Sequence, residues 1–180
     1  MKSREPQSWK GFTILELMIT LSITAVLLTL GIPAFHEYSL EQNMNAAVSS
    51  LQNDLLYGRS QAIYQDTQVI ACPGSPSNGC TDSTDWSAGW VVFSDANTDR
   101  QHQDDEALLR HTQALQHILV HSSVGRTNIR FYPNGSAPGS NASFSLCGLG
   151  GPEKARKLVI SNLGRIRRDE PENLDPIHCP

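Results

Sequence analysis

The chain has 180 residues, with 14 basic and 18 acidic side chains and a formal net charge of −4. This balance excludes a protein that is basic over its whole surface, so any site for a polyanion has to be a local patch. Behind an apolar N-terminal segment, the length leaves room for about 110–120 residues of folded domain. The composition therefore predicts one globular domain.

Residues 12–35 are almost entirely apolar and contain a single charged side chain, Glu16. At about 1.5 Å per residue, a helix of this length just crosses a hydrocarbon core of roughly 30 Å. A carboxylate in such surroundings is costly and needs a cationic partner. The sequence thus predicts a membrane-spanning helix in which Glu16 serves a function that involves a cationic partner.

The start of this segment, Lys10-Gly11-Phe12-Thr13-Ile14-Leu15-Glu16-Leu17, resembles the processing site of type IV prepilins and pseudopilins. The resemblance implies that residues 1–11 are a leader, which a prepilin peptidase removes after Gly11. It also implies methylation of the new N-terminal Phe12, and pairing of Glu16 with the α-amine of a neighbouring pilin subunit. The protein would sit in the inner membrane as a single-pass protein with its head in the periplasm, and later in a pilus. An ordinary membrane anchor with these residues by chance is the alternative.

A helical pattern continues through residues 36–66. Apolar residues recur there at three-, four- and seven-residue steps: Met44, Val48, Leu51, Leu55 and Ala62. Such a stripe predicts an amphipathic extension of the first helix, with its apolar side packed on a sheet. Gly58 interrupts the pattern of helix-forming residues and indicates either close packing or local weakness.

In residues 67–180 the pattern changes to short apolar runs separated by turn residues. The runs predict strands at 67–71, 90–94, 107–111, 117–122, 128–132, 143–147, 157–161 and 165–168. Short strands at regular spacing favour antiparallel pairing. We therefore predict an α+β fold in which the long N-terminal helix packs on an antiparallel β-sandwich or meander head.

All four cysteines follow the apolar segment: Cys72, Cys80, Cys147 and Cys179. An even number in an exported domain favours disulfides, and three pairings are possible. Closeness in sequence favours Cys72 with Cys80, which leaves Cys147 for Cys179. Neither pair has the C-x-x-C spacing of a zinc site, so we expect no metal and no cofactor.

Three further segments resemble the GspH/FimT group of minor pilins and pseudopilins. They are the helix end Gly58–Ile63, Cys72-Pro73 with Cys80, and Trp86–Asp95, which has the pattern Trp-x-x-Gly-Trp-x-Val-Phe-x-Asp. Core packing explains the two tryptophans more simply than ligand stacking does.

An acidic segment follows the second tryptophan. Its oxygen-bearing side chains stand at positions one, three, five and twelve of a calcium-loop pattern: Asp95, Asn97, Asp99 and Glu106. Arg100 occupies the place where an EF-hand loop needs glycine, so a solvated acidic hairpin loop is the preferred interpretation. The sequence contains no G-x-S-x-G, P-loop or H-E-x-x-H motif, and we interpret the protein as non-enzymatic.

Six basic residues are concentrated in a short C-terminal region: Lys154, Arg156, Lys157, Arg165, Arg167 and Arg168. Between them, Asn162-Leu163-Gly164 predicts a tight turn that joins two strands. Arg165 and Arg167 are two residues apart and should project from the same face of an extended segment. Guanidinium groups placed in this way can hold phosphate oxygens bidentately.

The string Gly164-Arg165-Ile166-Arg167 resembles the Gly-Arg-x-Arg motif of FimT-type minor pilins from naturally transformable bacteria. The resemblance implies capture of double-stranded DNA during uptake. Because the patch has no interleaved aromatic residues, we expect binding that is independent of base sequence and sensitive to salt. Two alternatives stay open: a solvated arginine face balanced by acidic residues downstream, and a structural pseudopilin of a type II secretion system or a pilus-assembly priming subunit without DNA binding.

Overall fold

A computed structural model describes residues 11–103, 105–148 and 155–169, with only the backbone of residues 30, 31, 33, 34 and 36. Helix α1 spans Ile14–Gln65. The described residues then form nine strands: β1 Gln68–Ser75, β2 Gly79–Cys80, β3 Gly89–Asp95, β4 Leu108–Gln113, β5 Ile118–Ser122, β6 Ile129–Phe131, β7 Ala142–Gly148, β8 Arg156–Ile160 and β9 Ile166–Asp169. The chain divides after Ser39 into an N-terminal helical unit and a second unit that contains all of these strands.

The N-terminal unit is the apolar part of α1. Its large apolar side chains, where the structure describes them, are exposed in the isolated chain, from 82% for Phe12 to 51% for Ile19. Hydroxyl side chains in this part donate to helix carbonyls, as the Thr24 hydroxyl does to the Thr20 carbonyl oxygen at 2.7 Å. Within the described residues, no helix combines the length and the apolar character that crossing a membrane requires. The predicted membrane span over 12–35 is therefore not confirmed.

The C-terminal part of α1 is anchored in the core of the second unit. The predicted stripe is confirmed, because each of its members is at most 4% exposed: Met44, Val48, Leu51, Leu55 and Ala62. Burying one large aliphatic side chain contributes roughly 1.5–3 kcal/mol, so the stripe supplies much of the attachment of α1 to the sheets.

The helix ends in a Schellman motif. Asp66 has a φ of 51°, and the Thr67 N–H donates to the Ala62 carbonyl oxygen at 3.3 Å. This arrangement satisfies a carbonyl of the last turn and directs the chain into β1.

The strands form two antiparallel sheets. The first sheet has the order β2-β1-β3-β4, with β6 also paired to β1, and the second has the order β5-β7-β8-β9. The predicted α+β fold with an antiparallel head is confirmed. The sequence does not predict β2, because its two residues lie in a stretch rich in Gly, Pro and Ser.

The main core contains side chains from α1 and from both sheets. Trp86 and Trp90 are fully buried in it, which confirms their predicted packing role. The Trp86 ring meets the Phe144 ring edge-on, with centroids 4.9 Å apart. The Trp90 indole N–H donates to an Asp54 carboxylate oxygen at 2.9 Å, and this contact joins β3 to the helix.

The predicted disulfide between Cys72 and Cys80 is present and links β1 to β2, with a Cα–Cα distance of 5.5 Å. Beside it, on the first sheet, lies a second and smaller cluster of buried residues that includes Ile70, Val91 and Phe93. The predicted pairing of Cys147 with Cys179 involves a residue outside the described part of the chain.

Gly58 lies in close contact with the first sheet. A Cβ added to it would lie 2.9 Å from Cγ1 of Val92 and 3.4 Å from Cγ1 of Val69. Of the two interpretations of Gly58, close packing is therefore confirmed.

We expect Gly58→Leu to lower the free energy of unfolding by about 1–3 kcal/mol, because the added side chain overpacks the helix–sheet contact despite its better helix propensity. Chemical denaturation measures the change. Ser60→Leu is the matched control, since Ser60 is an exposed position of the same helix. A Gly58→Leu variant as stable as the control would contradict the close packing.

Candidate nucleic-acid interface

The hairpin of β8 and β9 carries the predicted arginines. Its register places Val159 opposite Arg167 and Leu158 opposite Arg168. The Gly164 N–H donates to the Ser161 carbonyl oxygen at 2.8 Å, which closes the tight turn that the sequence predicts.

Gly164 is required for the shape of this turn. Its φ of 72° is one that residues with a side chain rarely adopt. An added Cβ would overlap the Gly135 carbonyl oxygen and lie 2.9 Å from Nε of Arg59. The structure therefore places this predicted site residue, buried, in the turn directly before Arg165, packed against Gly135 and Arg59.

The two faces of β9 have different surroundings. Residues alternate along a strand, so Ile166 and Arg168 share one face, and Arg167 and Asp169 share the other. The Arg168 guanidinium donates to Gln52 Oε1 at 2.8 Å and to Ser49 Oγ at 2.9 Å. Arg168 is thus engaged by α1 and is not brought to the face that carries Arg167.

Arg165 and Arg167 are both exposed. Nη2 of Arg167 lies 3.2 Å from a carboxylate oxygen of Asp169, with 59% and 38% of the two side chains exposed. An ion pair this open to water stabilises the fold little. Its main effect is to place a negative charge beside one of the two arginines.

Of the remaining predicted basic residues, the two that the structure describes lie in different surroundings. Lys157 lies opposite Asp169 in the register and shares the face of Arg167. Nη2 of Arg156 lies 3.6 Å from a carboxylate oxygen of Glu41 on α1. Lys154 lies outside the described residues. The structure therefore brings Lys157 to the face of Arg167 and places Arg156 beside the helix.

The sequence pattern does not predict that Arg59 belongs to this region. Its Nε–H donates to the Gly135 carbonyl oxygen at 2.7 Å, across 76 positions of sequence. No local pattern predicts a contact of this kind, because it depends on how the helix, the loop 133–139 and the hairpin pack together.

The acidic loop after β3 is organised by backbone donors. Asp95 is fully buried, and its Oδ2 accepts bonds from the Gln68 side chain at 2.9 Å and from the Arg100 N–H at 3.3 Å. The Glu106 carboxylate accepts bonds from the N–H groups of Ala96 and Gln103, at 3.1 Å and 3.2 Å. A calcium loop would instead direct oxygen atoms at the ion. In the described part of the chain, no group of three or more His, Cys, Asp or Glu residues could hold a metal.

Burial raises the pKa of Glu106 above its ordinary value, and the neighbouring Asp95 and Asp99 charges raise it further. The hydrogen bonds from Gln103 and Ala96 act in the opposite direction. A raised carboxyl pKa here has a structural cause, the enclosure of the side chain beneath its own loop.

The fold agrees with comparisons to known proteins. The family described as "Type II transport protein GspH" matches residues 47–164, and the "Prokaryotic N-terminal methylation motif" matches residues 10–32. The chain is 27% identical over 164 residues to a pilin-like protein PilA1 of Thermus thermophilus, covering 88% of this chain and 97% of that protein.

Two solved structures share the fold. The type IV minor pilin FimU of Pseudomonas aeruginosa has a TM-score of 0.59 at 21% identity, covering 73% of this chain and 92% of that one. The minor pseudopilin EpsH from the type 2 secretion system of Vibrio cholerae has a TM-score of 0.52 at 12% identity, covering 73% and 99%.

These matches define the class: a type IV minor pilin or pseudopilin with an N-terminal methylation motif. The chain belongs to the GspH family, whose match covers more than half of its length. It is therefore a pilus- or membrane-associated protein of a structural family. Pilins of this kind associate with other pilin subunits.

We expect the stability advantage of the wild type over Glu106→Gln to fall as pH rises. Because folding raises the pKa of Glu106, the folded chain binds this proton more tightly than the unfolded chain. The resulting stabilisation is full below the unfolded-state pKa and is lost as pH rises through the folded-state pKa. Urea denaturation of both proteins across this window measures the difference. Other titrating groups are common to both, so a difference that does not change with pH would contradict the raised pKa.

Proposed function

We propose that this chain is a minor type IV pilin that binds double-stranded DNA through Arg165 and Arg167 during DNA uptake in natural transformation. The supporting observation is the exposure of both arginines beside a rigid turn, while Arg168 is engaged by the helix. Lys157 adds a third positive charge on the face of Arg167. Because the protein is acidic overall, an anion would have to bind at a local positive face such as this one.

The chemistry of the face favours phosphate over bases. A guanidinium group can hold two phosphate oxygens in a fork, and its charge persists at every physiological pH. Contacts to phosphates carry no base sequence directly, so binding should be independent of sequence and should weaken steeply with salt. One subunit contacts few phosphates. Several subunits in a filament would raise the avidity without any new contact.

The N-terminal segment supports assembly in this proposal. A prepilin peptidase cuts after Gly11, Phe12 is methylated, and Glu16 pairs with the α-amine of a neighbouring subunit. The exposed apolar side chains of the N-terminal unit are then covered by the inner membrane before assembly and by other pilin helices in the filament. Retraction of the pilus draws the bound DNA inward.

A structural role without DNA is the second candidate. It is favoured by the family match and by the shared fold with EpsH, a minor pseudopilin from a type 2 secretion system. Such a subunit needs the same helix and head but has no use for the exposed arginines. The arginines therefore distinguish the two candidates.

We expect the double variant Arg165→Gln, Arg167→Gln to lose DNA binding while its melting temperature stays unchanged. The measurement is titration of a labelled duplex with the full chain in a non-ionic detergent, at several salt concentrations. The slope of log affinity against log salt should fall in magnitude by about 0.9 for each phosphate that the variant no longer neutralises.

The matched control is Arg100→Gln, Arg110→Gln, which removes the same charge from exposed positions outside the second sheet. This control should bind DNA as the wild type does. Absence of binding by the wild type at low salt would contradict the proposal and favour the structural pseudopilin. Equal losses of DNA affinity in both double variants would show that only net charge matters.

Asp169→Asn should strengthen DNA binding, by roughly twofold to fivefold at low salt, because it removes the negative charge beside Arg167. The gain should shrink as salt rises, since exposed charges are screened. The same titration measures it. Asp82→Asn, at an exposed position outside the hairpin, is the control for net charge, and an equal gain in both variants would contradict a local effect.

A further inference from the structure

We propose that Arg59 of helix α1 is a third arginine of the phosphate-binding surface, so that the site is built from the helix as well as from the hairpin. This inference rests on the proposed function. It assigns a binding role to a residue that lies more than a hundred positions before the Gly-Arg-x-Arg string.

The first observation is the place of Arg59 in the fold. Its Nε lies 2.9 Å from the point that a Cβ of Gly164 would occupy. Gly164 directly precedes Arg165, so the Arg59 guanidinium lies against the turn that leads into the exposed arginines. The same guanidinium is fixed by the 2.7 Å bond from its Nε–H to the Gly135 carbonyl oxygen.

The second observation is that hydrogen bonds from backbone N–H groups hold this corner of the molecule together. The Ala137 N–H donates to the Asn162 carbonyl oxygen at 2.8 Å, and the Gly139 N–H donates to the Asn162 side chain at 3.2 Å. The loop 133–139 is thereby attached to the hairpin turn, and Arg59 is attached to the loop. A charged group held in this way loses little freedom when it binds a ligand.

The third observation concerns the terminal nitrogens of the Arg59 side chain. Arg59 is half-buried, and within the described residues neither of its terminal nitrogens has a hydrogen-bond or ion-pair partner. Other arginines use these nitrogens inside the protein, as Arg126 does with the Gly139 carbonyl oxygen at 2.7 Å and Arg168 with Ser49. Terminal N–H groups of a fixed guanidinium suit phosphate oxygens.

The test compares Arg59→Gln and Arg59→Lys in the DNA titration of the full chain in non-ionic detergent. Arg59→Gln should weaken binding several-fold and lower the magnitude of the salt slope by about one. Arg59→Lys keeps the charge and should retain the slope. Arg110→Gln removes one charge from the other sheet and should leave both quantities unchanged.

A second measurement uses the wild type, so it does not depend on how the variants fold. Bound DNA should protect Arg59 from an arginine-selective dicarbonyl reagent, as read by mass spectrometry, while Arg110 stays reactive. Two outcomes would show that Arg59 only supports the structure. One is that bound DNA leaves Arg59 unprotected, and the other is that Arg59→Gln keeps the wild-type salt slope but has a lower melting temperature.

The DNA titration distinguishes failure of the proposed function from failure of the Arg59 inference. No binding by the wild type would remove the proposed function and this inference together. This inference alone would be removed if the variant Arg165→Gln, Arg167→Gln loses DNA binding while Arg59→Gln keeps the wild-type slope of log affinity against log salt.

Discussion

The packing of α1 against both sheets is the constraint on which the second unit depends. A buried apolar stripe, together with a glycine at a close contact, lets the helix lie against β1 and β3 without overlap. Polar contacts then join the helix to the strands at defined points, including Asp54 with Trp90 and Gln52 with Arg168. Because packed interiors tolerate little change of volume, these contacts fix the positions of the strands that follow.

The same packing divides the C-terminal basic residues. Arg156 and Arg168 contact side chains of α1, whereas Arg165 and Arg167 are exposed on the hairpin. The basic residues that are concentrated in the sequence thus differ in their surroundings: helix side chains engage Arg168, although it is exposed, and Glu41 lies beside Arg156. An acidic neighbour, Asp169, lies beside Arg167.

The acidic residues of the loop after β3 stabilise the fold of that loop. Its carboxylates accept bonds from backbone N–H groups, and Glu106 is enclosed by the loop that it stabilises. The spacing of its oxygen-bearing residues resembles that of a calcium loop, but the Glu106 oxygen atoms accept hydrogen bonds from N–H groups of the loop itself. Spacing in sequence identifies which groups are near one another, and the backbone geometry decides what each group faces.

Much of this protein is determined by its sequence alone. Periodicity predicts the amphipathic helix and eight of the nine strands to within a few residues, and closeness predicts the Cys72–Cys80 disulfide, because these features depend on neighbours along the chain. The tertiary structure alone decides that the helix engages Arg168, why Gly164 is glycine, and that Arg59 lies beside Gly164. These depend on segments far apart in sequence, which only the packing of helix, loop and hairpin brings together.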